Sequence, residues 1–411
     1  MSDKQLDVDV AVVGAGIVGA WISYQLARDG RTVALADPHP GSGASTGNAG
    51  MLVPSYCIPM SNPSVLRSGI RALIQSHGAV SLARPLRPAT LGWMTQFAWQ
   101  SRPGRARRDS AVLCAMAQRS TALYNEFTEA EGLDIGLRRT GWLHTVRSDK
   151  LLAQESKVAE HLDGLGVRSK VLTRDETHRL EAGLGDDVCG GVLFPDDSAL
   201  DPAATTAAVL SAAAGHGAHL VTAEVAGTQT DSRGRVTVRT HTGQQIRART
   251  VVLAAGALTP ALAKRCGVAA PRIEPGFGWT IVLPTERALA ATSLVSAEDH
   301  VVINASATSI RITGGMRFGG SARTASATAA DFADLRAAAE RLLPAISSID
   351  DPGHTWSGAR PMTASGLPNV RCVDDHHIVA AGHGTLGMTL APATAEAVAR
   401  EVDNTSLRSH T

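Results

Sequence analysis

The stretch that closes at Asp37 constrains the chain more than any other. A valine-rich run from Val8 to Val13 reads as a buried parallel strand, and Gly14, Gly16 and Gly19 follow it at the spacing G-x-G-x-x-G. Gly14 permits a tight turn, Gly16 leaves the backbone open to a pyrophosphate, and Gly19 lets the next helix lie close on the strand. That helix starts near Ile17, carries Val18, Ile22 and Leu26 as its apolar stripe, and stops at Gly30. Its N-terminus, with unpaired amides and the positive end of the macrodipole, suits phosphate, so Ala15, Ile17 and Val18 join the glycines as candidate contacts. Thr32 to Ala36 supplies a second strand, and Asp37, followed by Pro38, stands where a carboxylate can accept both ribose hydroxyls of an adenosine. Strand, helix, strand and acid in this order read as an adenine dinucleotide site, against the rival that the glycines only pack a βαβ unit. Asp37 suits NAD and FAD alike.

The rest of the composition removes alternatives. With 411 residues, 44% of them hydrophobic, the chain can build two or three domains around sizeable cores. Lys and Arg number 39 against 38 for Asp and Glu, so no whole-chain field draws nucleic acid. Cys57, Cys114, Cys189, Cys266 and Cys372 are scattered without a C-x-x-C pair, and the histidines lack ligand spacing; a reducing cytoplasm and no metal are expected. No apolar run reaches transmembrane length and no signal-peptide layout opens the chain, which points to a cytoplasmic protein. Arg84 to Arg108 mixes Trp93, Phe97 and Trp99 with arginines: either a membrane-surface helix at the inner face, or aromatics packed inward beneath solvated arginines.

Three further segments carry a resemblance. Residues 38 to 55 are rich in Gly, Ser and Pro, as suits a flexible connection or a loop that approaches a ligand, and include STGNAGMLVP at Ser45 to Pro54. WSGARPMTASGLPNV spans Trp356 to Val370, and AAGHGTLGMTLAPATAEAVAREV spans Ala380 to Val402. With the opening motif these resemble the FAD-dependent amino acid oxidoreductase (DAO) family, nearest its D-amino acid dehydrogenase small-subunit-like and glyphosate oxidoreductase-like branch. The resemblance implies that Ser45, Thr46, Asn48, Ala49, Gly50 and Met51 run beneath the flavin ring. It implies that Ala254, Ala255 and Gly256 return the chain to the adenosine side, where Val225 is either a contact or structural. Gly382, Gly384, Leu386, Gly387 and Met388 then face the flavin from a helix that Thr389 would cap, with Pro392 in its first turn.

Arg360 matches the residue that binds the substrate carboxylate in relatives; a structural ion pair is its rival role. Trp279 stands where relatives often carry a Tyr over the substrate, Phe277 where some carry Arg, and Thr385 where others carry Arg or His. Ser365 replaces the usual Asp. No cysteine occupies Arg360 to Thr363, so the FAD is expected to be non-covalent.

The implied fold is α/β (α+β): a Rossmann-like FAD-binding domain from residues 1–59, 195–260 and 350–411, plus a substrate-binding domain from 60–194 and 261–349 built on an antiparallel sheet. Periodicity places helices at Ser110 to Glu131, Asp149 to Leu165 and Asp201 to Ala213, and strands at His219 to Val225, Val236 to Thr240 and Ile246 to Ala254. The implied reaction is oxidation of an amino acid's Cα–N bond by hydride transfer to flavin N5, with dioxygen, a quinone or a redox partner as acceptor. Alternatives are a cyclic or N-substituted substrate of the hydroxyproline, proline, sarcosine or glycine type, and a dinucleotide-binding regulatory or assembly protein without chemistry.

Overall fold

A computed structural model describes residues 5–63, 65–66, 80–82, 87–324 and 326–408. The valine strand Val10–Val13 is buried along its length and pairs in parallel with Val33–Ala36, the helix Ile17–Arg28 crossing between them. They sit inside a six-stranded sheet in the order His219–Val221, Val33–Ala36, Val10–Val13, Thr250–Leu253, His377–Ala381, Asn369–Cys372, parallel except at the last pair. On one face the helices Ile17–Arg28, Pro202–Gly215 and Gly387–Arg408 bury an apolar core, and helix Pro103–Glu131 adds Tyr124 and Phe127 against Trp21, with ring centroids 5.1 and 5.2 Å apart. On the other face lies a four-stranded sheet of Leu6–Asp7, Gln245–Ala248, Val236–Thr240 and Val225–Thr230.

Two runs expected as single strands divide between these sheets. His219–Val221 joins the parallel sheet and Val225–Thr230 the smaller one; likewise Gln245–Ala248 and Thr250–Leu253 part company. The second division has a visible cause, since the Asp9 carbonyl accepts the amides of both Arg249 (3.0 Å) and Thr250 (3.1 Å) and turns the chain between layers. Helix Pro103–Glu131 starts earlier than expected because a proline in its first turn initiates it, and its basic opening turns offer no apolar periodicity to read.

The C-terminal helix also differs from expectation. It begins at Gly387, and Thr389 is an interior residue whose buried hydroxyl donates to the Met51 carbonyl at 3.1 Å. Pro392 therefore lies within the helix, where it can donate nothing to the Met388 carbonyl. Tyr124 replaces that donor with its hydroxyl (2.8 Å), and Ser120, one turn away, accepts the next amide, from Ala393 (3.1 Å).

A nine-stranded, largely antiparallel sheet forms the second layer system, in the order His354–Thr363, Ile273–Pro284, Ser309–Phe318, Val301–Ala305, Ser293–Ser296, Trp142–Val146, Gly190–Phe194, Lys170–Thr173, with Val80–Leu82 beside Ser309–Phe318. The expected boundary at residue 350 moves accordingly. His354–Thr363 keeps continuous register with Ile273–Pro284, from Val282↔His354 to Ile273↔Thr363, so the strand bearing Arg360 belongs to this sheet. In the aromatic and basic stretch, Trp93 stacks on Phe97 and Phe318 and is buried, while Trp99 is 46% exposed beneath the Arg105 guanidinium, 3.7 Å from its ring centroid. Residues 84–86 of that stretch lie outside the described residues. Among the described residues no helix is long and apolar enough to cross a membrane.

Candidate active site

A cavity of about 770 Å³ runs between the two sheet systems, from Asp37 at one end to Arg360 at the other. Gly14, Gly16, Ile17, Val18, Asp37 and Pro38 line its first part. Gly14 has φ +108°, and a Cβ there would come within 2.6 Å of the Ala254 carbonyl oxygen; a Cβ on Gly19 would overlap the Gly14 carbonyl. Asp37 accepts the Ala15 amide on Oδ2 (2.8 Å) and the His39 amide on Oδ1 (2.7 Å), which stitches the turn while each oxygen keeps acceptor capacity for a hydroxyl. Val225, Ala254, Ala255 and Gly256 face the same end. Glu224 bridges Arg265 (3.3 Å) and Arg323 (2.7 Å) there, and all three line the cavity. Glycine-lined space at a helix N-terminus with an acid at its edge fits a dinucleotide.

The middle of the cavity is bounded by the two glycine loops expected beside a flavin. Ser45, Asn48, Ala49 and Met51 line one side; Gly384, Thr385, Leu386, Gly387 and Met388 line the other. Ser45 Oγ accepts the Ile17 amide (2.9 Å), and Asn48 reaches the Thr385 carbonyl at 3.5 Å, joining the loops. Ala15, Gly19, Thr46, Gly50 and Gly382 do not line the cavity; they shape the backbone behind it, Thr46 by accepting the Arg311 guanidinium at 3.1 Å. Trp356 closes the floor, its ring lying where a Cβ of Gly47 would be.

At the far end the Arg360 guanidinium rests over Gly278, in space a Cβ there would fill, and donates to the carbonyls of Gly315 (2.6 Å) and Gly314 (3.4 Å). No carboxylate pairs with it among the described residues, so its role is not that of a structural ion pair. Burial pulls its pKa down to about 10, which leaves it a cation at neutral pH whose charge lacks a counterion.

Trp279, expected over the substrate, is corrected by the structure. It is 8% exposed, lies outside the cavity lining, and packs beneath Gly315 in the core shared with Leu335 and Ala338. Phe277 is likewise buried away from the lining. The two share a face of Ile273–Pro284, whose register with His354–Thr363 is unbroken; the bulge lies in the facing strand Ser309–Phe318, where Phe277 pairs with Arg317 and Trp279 with Gly314.

The aromatic wall comes instead from Tyr56 and Trp142, which no motif announced; their ring centroids are 5.4 Å apart and both line the cavity. Although 42% of Tyr56 remains open, enclosure by the walls raises its phenol pKa. His300, which is exposed, and the buried His383 also line the cavity; desolvation lowers both pKa values, that of His383 to about 4, so the His383 ring is neutral. His383 Nε2 lies 2.9 Å from the Thr394 hydroxyl. The carboxylates among the described lining residues, Asp37 and Glu224, stand at the dinucleotide end.

Comparison with known proteins agrees with this geometry. The family model described as FAD dependent oxidoreductase matches residues 9–401. A D-amino acid dehydrogenase of Methylobacterium sp. (strain 4-46) is 30% identical over 394 residues, covering 93% of this chain and 92% of that one. Glycine oxidase from Geobacillus kaustophilus superposes with a TM-score of 0.76 at 26% identity, covering 97% of this chain and 95% of that one. L-proline dehydrogenase from P. horikoshii, at 21% identity, TM-score 0.73 and coverage of 97% and 94%, shares the fold. The chain thus belongs to the FAD dependent oxidoreductase family, and is an enzyme whose cofactor is FAD.

Proposed function

We propose that the chain oxidises the Cα–N bond of a monocarboxylic amino acid, as a D-amino acid dehydrogenase-like enzyme. The observation that carries this reading is Arg360, a half-buried cation with no counterion among the described residues, at the opposite end of the cavity from the dinucleotide cradle. FAD, when bound, supplies the acceptor for the hydride that leaves Cα for N5. Arg360 binds the carboxylate through a planar fork and so fixes how Cα is presented. Tyr56 and Trp142 wall the side-chain space. His383 is a poor proton acceptor with its pKa near 4, so the amine arrives already neutral, and the resulting imine, when acyclic, is hydrolysed by water. No cysteine lines the cavity among the described residues, which supports non-covalent FAD. Dioxygen or a quinone serves as acceptor, and the exposed Trp99 with its arginines is the surface that would meet a membrane.

The test is to mix the enzyme anaerobically with D- and L-amino acids, prolines and N-methylglycine and to follow flavin bleaching. Monocarboxylic substrates with small, apolar or cyclic side chains should bleach it. Aspartate and glutamate of either hand should not, because a second carboxylate would be buried without a partner, a penalty of several kcal/mol. Fastest reduction by either acid would sink this reading of the pocket; bleaching by prolines or N-methylglycine alone would move the substrate to the N-substituted class. Admitting air, or a quinone under nitrogen, identifies the acceptor.

Asp37→Ala should lower FAD retention through gel filtration, removing a charge-assisted acceptor of roughly 1.5–3 kcal/mol per hydrogen bond. It also frees the Ala15 and His39 amides, so the turn loosens with the cofactor. Wild-type flavin content in this variant would refute the role.

A further inference from the structure

Asp197 is fully buried in the turn between strands Gly190–Phe194 and Ser198–Ala199. Its carboxyl takes both donors of Ser55, the hydroxyl on Oδ2 and the amide on Oδ1 at 3.4 Å. Its backbone carbonyl accepts the Gly141 amide at 3.0 Å. Ser55 is the residue before Tyr56 and Gly141 the residue before Trp142. The strand that follows, Ser198–Ala199, pairs with Met51–Leu52 of the loop beneath the flavin. One side chain and one carbonyl of a single residue thus hold the two segments whose aromatic rings meet at the cavity wall. We propose that Asp197 is a positioning residue for substrate, tying Tyr56 to Trp142 and setting the space between Arg360 and the aromatic wall. The word substrate here rests on the function proposed above.

A polar group at this depth is not required for packing, because its surroundings include the apolar-buried thiols of Cys57 and Cys114. Groups facing it are those two thiols, both with raised pKa, and Asp196, whose carboxylate pairs with Arg168. No cation pairs with Asp197 among the described residues, and burial pushes its pKa up to about 7. Because the folded pKa is raised, the folded state favours the protonated form: that contribution to stability is complete below the unfolded pKa and is lost as pH rises to about 7. Ionised, the carboxyl can only accept; protonated, it can donate once to Ser55. The aromatic wall should therefore change its set across neutrality.

The probe is benzoate, whose carboxylate suits Arg360 and whose ring suits the space beside Tyr56 and Trp142. Its binding to holoenzyme is followed by flavin absorbance from about pH 5.5 to 8.5, a range that spans the transition. Wild type should weaken roughly fivefold or more through a transition near neutrality. Asp197→Asn, which keeps one acceptor and one donor for Ser55, should bind with the tighter affinity throughout and show no transition. Acetate reaches Arg360 without the ring and should show no transition in either protein. A transition retained in Asp197→Asn, its absence in wild type, no benzoate binding by wild type, or an equal transition with acetate would each overturn the proposal. Should Asp197→Asn fail to fold, Ser55→Ala decides: weakened benzoate binding at full FAD content supports it, and unchanged affinity refutes it. A wild type that binds benzoate with this transition, yet is reduced by no amino acid, refutes the proposed reaction and leaves Asp197 in its role.

Discussion

Arg360→Lys should lower kcat/KM for the best substrate by more than a hundredfold, about 3 kcal/mol of transition-state stabilisation, with little change in Tm. The guanidinium spans two carbonyls, of Gly314 and Gly315, and still presents an outward edge; an ammonium has one nitrogen and cannot hold that pose while offering two parallel donors. The strand around it loses nothing, since its register depends on backbone pairing with Ile273–Pro284. Gly278→Ala tests the same seat with the charge retained, because the new Cβ would occupy the space of the guanidinium. Both variants should fall together in kcat/KM and in benzoate affinity. Unchanged kcat/KM in Arg360→Lys rules it out as the anchor.

Gly19→Ala should yield a colourless, poorly stable protein. The added methyl is driven into the Gly14 carbonyl, so helix Ile17–Arg28 must lift from strand Val10–Val13, a loss on the order of 3 kcal/mol, and the phosphate cradle opens with it. Gly30→Ala is the control. Gly30 has φ +82° but free space around it, so the change should cost about 1 kcal/mol in strain and leave FAD bound. Measured flavin content and urea midpoints separate the two; a yellow, stable Gly19→Ala would show that the close approach is dispensable.

What the sequence discloses follows from how local each cause is. The opening βαβ unit was legible because its turn, helix N-terminus and acid are close neighbours in the chain, and helix Pro202–Gly215 because Asp201 caps it directly, accepting the Ala204 amide at 2.8 Å. Arg360 was legible through a motif. Trp279 was misplaced because both faces of Ile273–Pro284 are buried, so alternation does not mark which face borders the cavity. Tyr56 and Trp142 escaped notice because they meet through Asp197, from three separate stretches of chain. Thr389 has the chemistry of a cap, yet the missing Pro392 donor is made good by Tyr124, so nothing stops the helix at Thr389.

The order of strands in the parallel sheet also dictates when the enzyme can be born. Val10–Val13 emerges from the ribosome early, yet its neighbour Thr250–Leu253 and the adjoining His377–Ala381 come far later, and the bond from Asn48 to Thr385 joins residues 337 positions apart. The nucleotide fingerprint is thus translated long before the walls that would retain FAD. Until then Val10–Val13, paired with Val33–Ala36, keeps its other edge open, a state that invites intermolecular pairing. Loop closure over such separations is slow, so that edge waits for most of the chain before it is covered.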